Sequence, residues 1–489
     1  MNSRTIVSRN ALLMLVSQLL TNGLSFITVP LLARWLGSTD YGTMYLAGVV
    51  AGFGAMAIEC GQDNYSVLAI ARDNSRAAEF IASSAVLRLL LGVVGALVLE
   101  VALRLLGYDS LTRLLVFMVY ISQLLASVGT AAMAVVKGLE KMAFNAWMRV
   151  FTEVLHTGLL VGAIALGWRM RGICGAEIVT YAGTLLVCAR VVIRMRLLPA
   201  RPRLATMLEL LKGGVPFFLW TSIVALQPSV EAVLLSKFGS PEAVGWFGAS
   251  AKILNLLVFP AVILGSALSP TLARLHATDA EAFGRAVRGA LRVTVFIAFP
   301  LSVGSFLFAD AGMNLVFGGG AFAPSADNLR VFSAYLLPVS LNITLGTAIL
   351  ASGRQLAWTL WKGALVAVGA GASALLISWF QARTGNGGLG AAAVTAAAEF
   401  AMLGAAVHLL GRGVLDRTIY ADLLRAIAAS AAMIVPVRGF PAAPFPVLFV
   451  AASVAYVGTL AALGGVGIRD VTILRSTFLA RSGRQSPIP

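Results

Sequence analysis

The sequence predicts an all-α polytopic membrane protein of about fourteen transmembrane helices, built as two pseudo-repeated six-helix lobes plus two extra C-terminal helices. Composition, the length of the apolar runs and an internal repeat carry that prediction. Of 489 residues, 59% are apolar and only 12% are charged, with a mean hydropathy of +0.88. A soluble domain carries about 25% charged residues, so lipid must solvate much of this surface. The 49 glycines suit a helical bundle in lipid, where small residues let backbones approach closely.

The apolar runs are continuous and roughly 20 residues long, the length a helix needs to cross the hydrocarbon core. A membrane β-barrel would instead show short alternating segments. In the N-terminal half, spans are expected near 10–33, 43–67, 79–103, 113–136, 146–167 and 173–195. The next six fall near 213–236, 246–271, 289–309, 330–351, 357–380 and 388–410, and the last two near 420–437 and 445–464. The first run is too long for a signal-peptide core and lacks a small-residue cleavage site, so it is expected to remain as a span. Residues 1–196 then form an N-terminal lobe, 197–212 a cytoplasmic linker, 213–410 a C-terminal lobe, and 411–489 the final two spans with a cytoplasmic tail. Pro199, Arg201, Pro202 and Arg203 keep the linker out of the membrane.

The net charge of +16 is spread over many short loops, which disfavours a nucleic-acid partner. With a cytoplasmic N-terminus, only nine of the 37 Lys and Arg lie on the opposite side. That asymmetry follows the positive-inside rule, puts both termini in the cytoplasm of a bacterial inner membrane, and faces the basic excess toward anionic lipid headgroups. Cys60, Cys174 and Cys188 are too scattered for a disulfide framework or a metal site, and no cofactor is implied. An enzyme would need paired carboxylates or a metal cluster on a sizeable loop, or a GxxxxGK[ST] loop for nucleotide; none is found, so no catalytic residue is assigned.

The lobes repeat. Leu36-Gly37-Ser38 matches Phe238-Gly239-Ser240 at an offset of 202 residues, as Ala71-Arg72 matches Ala273-Arg274. Farther on, Gly138 matches Gly353, Gly175-Ala176 matches Gly390-Ala391, and Val179-Thr180 matches Val394-Thr395 at an offset of 215. The change of 13 implies an insertion in the second copy, expected around Gly318-Gly319-Gly320. Six spans separate the copies, so they share a topology and relate by an axis along the membrane normal.

The run Leu32-Ala33-Arg34-Trp35-Leu36-Gly37-Ser38-Thr39-Asp40-Tyr41-Gly42 resembles the signature closing the first helix of polysaccharide transporters. These are the oligosaccharide-lipid flippases of the multidrug/oligosaccharidyl-lipid/polysaccharide exporter superfamily. Lys137-Gly138-Leu139-Glu140-Lys141 resembles the family's turn after helix four, with Lys137 where Gln is usual. The resemblance implies translocation of a polyprenyl-diphosphate-linked oligosaccharide from the cytoplasmic to the periplasmic leaflet by alternating access. The product would feed exopolysaccharide, capsule or O-antigen synthesis, in company with a polysaccharide polymerase complex. An ion-coupled multidrug exporter and a flippase for the peptidoglycan precursor are the alternatives.

A diphosphate brings about two negative charges, and crossing a low-dielectric region calls for guanidinium or ammonium partners. Arg88 in span 3, Lys252 in span 8, Arg149 in span 5 and Arg34 at the periplasmic exit are the candidates. An ionisable group at mid-bilayer costs about 2.5–3.5 kcal/mol on insertion scales, so it tends to face a cavity or a partner. Glu59 and Asp63 share a face of span 2, Glu153 and His156 share one of span 5 with Arg149, and Glu399 lies in span 12; these are the ion-coupling candidates. Simpler roles stand beside each. Arg149 and Glu153 can neutralise each other along the helix, His156 can be a packing residue, Glu59 and Asp63 can be interfacial, and Arg34 can snorkel to headgroups.

Overall fold

The computed structural model describes residues 3–197, 200–411 and 416–465. The expected tail beyond 465 and residues 198–199 of the linker lie outside the described residues. Every regular element described is helical, and twelve segments are long and apolar enough to cross a membrane, so the chain is a multi-pass membrane protein. It separates into two compact units, residues 1–248 and 249–489.

In the first unit, α1 (Ser3–Glu59) and α2 (Gln62–Arg72) are followed by a 3-10 turn (Asn74–Arg76), α3 (Ala77–Leu105), α4 (Ser110–Gly138), α5 (Met142–Ala165), α6 (Met170–Arg194) and α7 (Leu204–Phe238). The 57 residues of α1 would run about 85 Å if straight, twice the thickness of a bilayer with its headgroups. Gly37 breaks it, with φ +78° and ψ 173°, a backbone conformation that side chains with a Cβ rarely adopt. The expected polar loop at 34–42 is therefore one residue of non-helical backbone. A second break follows at Cys60 (φ +44°) and Gly61 (φ +69°). It replaces the expected unbroken span 43–67, so Glu59 and Asp63 do not share a continuous helical face.

The core of this unit gathers Ile70, Phe80, Leu87, Val135, Met148 and Val192, one or two side chains from each of α2 to α6, with Leu210 of α7. The expected linker is shorter than 197–212, because α7 begins at Leu204, two residues after Pro202, the last of its prolines. Ser83 accepts a hydrogen bond from the Arg203 amide at 3.0 Å, and Glu79 takes the Arg203 guanidinium at 3.0 Å. Arg76 makes a two-pronged pair with Glu209, which also accepts from the Tyr65 hydroxyl at 3.0 Å. Contacts thus group α7 with the first unit, whereas the sequence repeat groups it with the second.

In the second unit, α8 (Pro241–Thr278), which starts in the first unit, leads to α9 (Ala280–Leu307), α10 (Ala309–Phe317), a 3-10 turn (Gly320–Phe322), α11 (Ser325–Ala351), α12 (Gln355–Thr384) and α13 (Gly388–Leu410). Then come α14 (Arg417–Ala432), α15 (Ile434–Gly439) and α16 (Phe445–Ala462). α11 packs on α9 and α13, and α12 on α13. The expected thirteenth span is α14 and α15 in succession, interrupted at Met433 ahead of Pro436. α14 docks on α9 and α16. Arg288 faces Asp416 at 3.3 Å, Arg292 faces Asp422 at 3.6 Å, and the Tyr456 hydroxyl donates to the Phe296 carbonyl at 2.8 Å.

The element order repeats with the sequence. Gly37 and Gly239 both interrupt the helix, each with ψ near 180°. Four residues join α3 to α4, and seventeen join α9 to α11, thirteen more. The inserted residues form α10 and the 3-10 turn, and the expected glycine-rich loop is their end. Aspartates start several helices by accepting backbone amides. Asp109 caps α4 through Leu111 and Thr112 at 3.0 and 3.3 Å, Asp279 caps α9 through Ala282, and Asp416 caps α14 through Thr418 and Ile419.

Candidate functional site

Within the first unit, four helices line an open cavity of about 340 Å³. α1 supplies Gln18, Thr21, Asn22 and Ser25; α4 supplies Thr130 and Met133; α5 supplies Arg149, Thr152 and Glu153; α6 supplies Tyr181, Thr184 and Cys188. In α4 the small side chain of Ala126 and the absence of one at Gly129 leave room. The helical repeat accounts for the wall on α5, since Arg149, Thr152 and Glu153 fall at i, i+3 and i+4. The same holds on α6 for Tyr181, Thr184, Leu185 and Cys188.

A relay of hydrogen bonds crosses the cavity wall. Arg149 Nη1 donates to Gln18 Oε1, and Gln18 Nε2 donates to Asn22 Oδ1 at 2.9 Å. Thr152 and Thr130 turn their hydroxyls to the backbone carbonyls of Met148 and Ser127 at 2.8 and 2.9 Å. The cavity lies where α4 ends, α5 begins and α6 ends, the side that the charge asymmetry assigns to the cytoplasm. Of the sequence-expected residues, it brings Arg149 and Glu153 together. His156 sits one turn farther along α5, half-buried and outside the lining.

Arg88 is placed behind the cavity and not in its lining. The side chain is 0% exposed. Its Nη2 pairs with Asp63 Oδ1, and its Nη1 donates to the Ser127 carbonyl, to Ser127 Oγ at 3.2 Å and to Thr130 Oγ1 at 2.9 Å. Nε is buried and has no hydrogen-bond partner among the described residues. Glu59 lies within electrostatic reach of both Asp63 and Arg88. One guanidinium therefore ties the segment beyond the Cys60-Gly61 break to α4, and Thr130 is shared between that tie and the cavity wall.

The second unit holds its own buried pair. Lys362 of α12 is ion-paired with Glu399 of α13, which is 3% exposed. Asn342 of α11 donates to the Glu399 carboxylate at 2.7 Å and to its carbonyl at 2.9 Å. Lys362 lies inside the apolar run 357–380 and is not among the candidates named from the sequence. Glu177 of α6, beside Ser122, likewise lies inside an apolar run, 173–195, and is not among the candidates named from the sequence. Lys252 is half-buried on α8, and Arg34 is exposed on α1. The hydroxyls of Ser127 and Thr130 carry no sequence signal, because serine and threonine are common in membrane helices.

The architecture is that of a known class of membrane transporters. A lipid II flippase MurJ in its inward closed conformation superimposes with a TM-score of 0.74 over 94% of this chain and 100% of that one, at 12% identity. An inward-facing multidrug resistance MATE family transporter of the MOP superfamily gives 0.63 over 80% and 94%, at 18% identity. The bent form of the Vibrio cholerae MATE transporter VcmN gives 0.51 over 84% and 99%, at 15% identity. These likenesses establish the fold. Residues 7–276, more than half of the chain, match the family described as polysaccharide biosynthesis protein, and the chain belongs to that family. It is a family of transporters and not of enzymes. No curated protein matches the chain in sequence.

Proposed function

We propose that the chain is a flippase that carries a polyprenyl-diphosphate-linked oligosaccharide from the cytoplasmic to the periplasmic leaflet of a bacterial inner membrane. The glycan would serve exopolysaccharide, capsule or O-antigen synthesis, and a polymerase complex would take it up outside. The observation that carries this reading is a cavity lined by amides, hydroxyls, Arg149 and Glu153 between membrane helices of a polysaccharide-biosynthesis chain. Apolar helices have no reason to enclose so many polar groups unless a polar molecule visits them.

In this reading the chain crosses fourteen times. α1 crosses twice about Gly37, α7 is a span despite its two prolines, and both termini are cytoplasmic. Residues 1–196 and 213–410 are the two lobes, and they alternate access to the two sides. Lys252, Arg149 and Arg34 meet the diphosphate. Arg88, enclosed by Asp63, Ser127 and Thr130, supports the site from behind. Lys362 and Glu399 join the ion-coupling candidates Glu59, Asp63, Glu153 and His156.

The test is export. Deleting the gene should abolish surface glycan and leave lipid-linked glycan in the cytoplasmic leaflet. Lys252→Ala and Arg149→Ala should reproduce that loss at normal protein levels. Wild-type glycan from the deletion strain, together with increased sensitivity to organic cations, would convert the reading to multidrug export. Rescue of a strain lacking its lipid II flippase would convert it to peptidoglycan-precursor transport.

A further inference from the structure

The start of α7 carries a lysine inside an apolar stripe. Leu204, Leu208, Lys212, Val215 and Leu219 recur at helical spacing along one side of the helix, and all are exposed. The 35 residues of α7 run about 52 Å, longer than a bilayer with its headgroups. With the linker in the cytoplasm, the first turns of α7 lie among the headgroups of that leaflet. Lys212, about 12 Å along the helix, lies near their boundary with the acyl chains.

Beside this stripe, α2 and α7 leave an open cleft of about 610 Å³, lined by Tyr65 of α2 and by Ala205, Leu208, Glu209, Lys212 and Gly213 of α7. The two helices meet at its deep end, where a Cβ on Gly61 would fall on the Gly214 carbonyl. On α2, Leu68 and Arg72 follow Tyr65 at i+3 and i+7, so they share its face, and both are exposed. Arg72 lies within electrostatic reach of the Tyr65 hydroxyl.

The polar groups of the cleft are of two kinds. Glu209 is neutralised by the two-pronged pair with Arg76, and the Tyr65 hydroxyl donates to the same carboxylate. Lys212 and Arg72 have no ion pair among the described residues. The cleft therefore keeps two positive charges uncompensated beside exposed aliphatic walls. Cations at headgroup level above an apolar wall match an amphiphile with an anionic phosphate and an acyl chain. A glycan would need free hydroxyls and amides, and the one uncharged polar side chain of the lining, Tyr65, is already engaged by Glu209.

Resting on the topology of the flippase reading, we propose that this cleft holds an anionic phospholipid of the cytoplasmic leaflet. Arg72 and Lys212 meet its phosphate, and Leu68 and Leu208 flank an acyl chain. The bound lipid ties α2 to α7 beside their crossing.

Native mass spectrometry of the full-length protein, released from detergent micelles, tests the assignment. Titrations use dioleoylphosphatidylglycerol, dioleoylphosphatidylcholine and undecaprenyl diphosphate. Phosphatidylglycerol should bind more tightly than phosphatidylcholine, and Lys212→Ala and Arg72→Ala should each weaken it about five-fold. Arg194→Ala, which removes an exposed cation at the cytoplasmic end of α6, should change nothing. Lys212→Gln replaces Lys212→Ala should the latter fold poorly. Equal binding of phosphatidylcholine, an equal loss from Arg194→Ala, or no loss from either cleft variant overturns the proposal. Displacement of phosphatidylglycerol by equimolar undecaprenyl diphosphate also overturns it and gives the cleft to the polyprenyl carrier. Glycan export by the wild-type chain is measured separately, so a failure here with export intact leaves the flippase reading standing.

Discussion

At the scale of the residue, the two arginines that tie chain segments together differ in environment, and their energetics follow. Arg88 is fully enclosed, so Arg88→Ala leaves the Asp63 carboxylate without its cation, while the Ser127 carbonyl keeps the Thr130 hydroxyl. Breaking a buried pair from one side costs about 3–5 kcal/mol. Arg76→Ala breaks a pair about a third exposed on each side, worth about 0–1 kcal/mol. Thermal unfolding in detergent should show a large drop for the first and a small one for the second; equal drops would remove the buried role of Arg88. The Arg76 guanidinium, aided by the Tyr65 hydroxyl, holds Glu209 below the usual carboxylate range. A depressed folded value means that the unfolded chain takes up the proton first as pH falls. The stabilisation is therefore full above the ordinary carboxylate value and is lost as pH drops through the folded one. Glu209→Gln should lower the unfolding midpoint at neutral pH, and its gap from wild type should close below about pH 4.

At the scale of the element, the decisive residues are those that cannot bear a side chain. A Cβ on Gly61 would fall on the Gly214 carbonyl of α7, and Gly61 also holds a left-handed backbone. A Cβ on Gly42 of α1 would strike the Pro241 carbonyl, and one on Gly245 of α8 would strike the Ser38 carbonyl. Gly245→Ala should therefore reduce the folded yield, measured by size-exclusion chromatography. Gly48→Ala, where nothing lies within 4 Å, should be neutral or stabilising by up to about 1 kcal/mol. Some of these breaks were legible in the sequence and others were not. The interruption at Gly37 was marked by its repeat at Gly239. The interruption at Cys60-Gly61 was not, because one glycine among 49, with no proline nearby, carries no distinguishing signal. The hydrophobic pattern placed the apolar runs well, since membrane length is set by lipid. It could not place the α7 start, which depends on Ser83 and Glu79, more than a hundred residues earlier in the chain.

At the scale of the whole molecule, composition was enough for the class and charge for a testable topology. The turn from α11 to α12 should face the cytoplasm and the turn from α12 to α13 the periplasm. A membrane-impermeant maleimide applied to intact cells should label Thr384→Cys and spare Gln355→Cys; the reverse pattern would invert the topology. Candidate-site residues were legible as ionisable groups in apolar runs, but their roles were not, because enclosure decides them. Arg88 and Arg149 look alike in sequence, yet one is sealed and the other lines a cavity. The docking of α14 on α9 has a history written in the repeat. At the offset of 202, Arg288 and Arg292 correspond to Val86 and Leu90 of α3, and Leu90 is exposed. The two copies thus differ along one stripe: aliphatic in α3, where Val86 packs on the core and Leu90 is exposed, and guanidinium in α9, where it receives Asp416 and Asp422. A gene truncated after Leu410 would strip both arginines of those carboxylates, so the second unit relies on the segment beyond Leu410 to neutralise charge that its own helices carry.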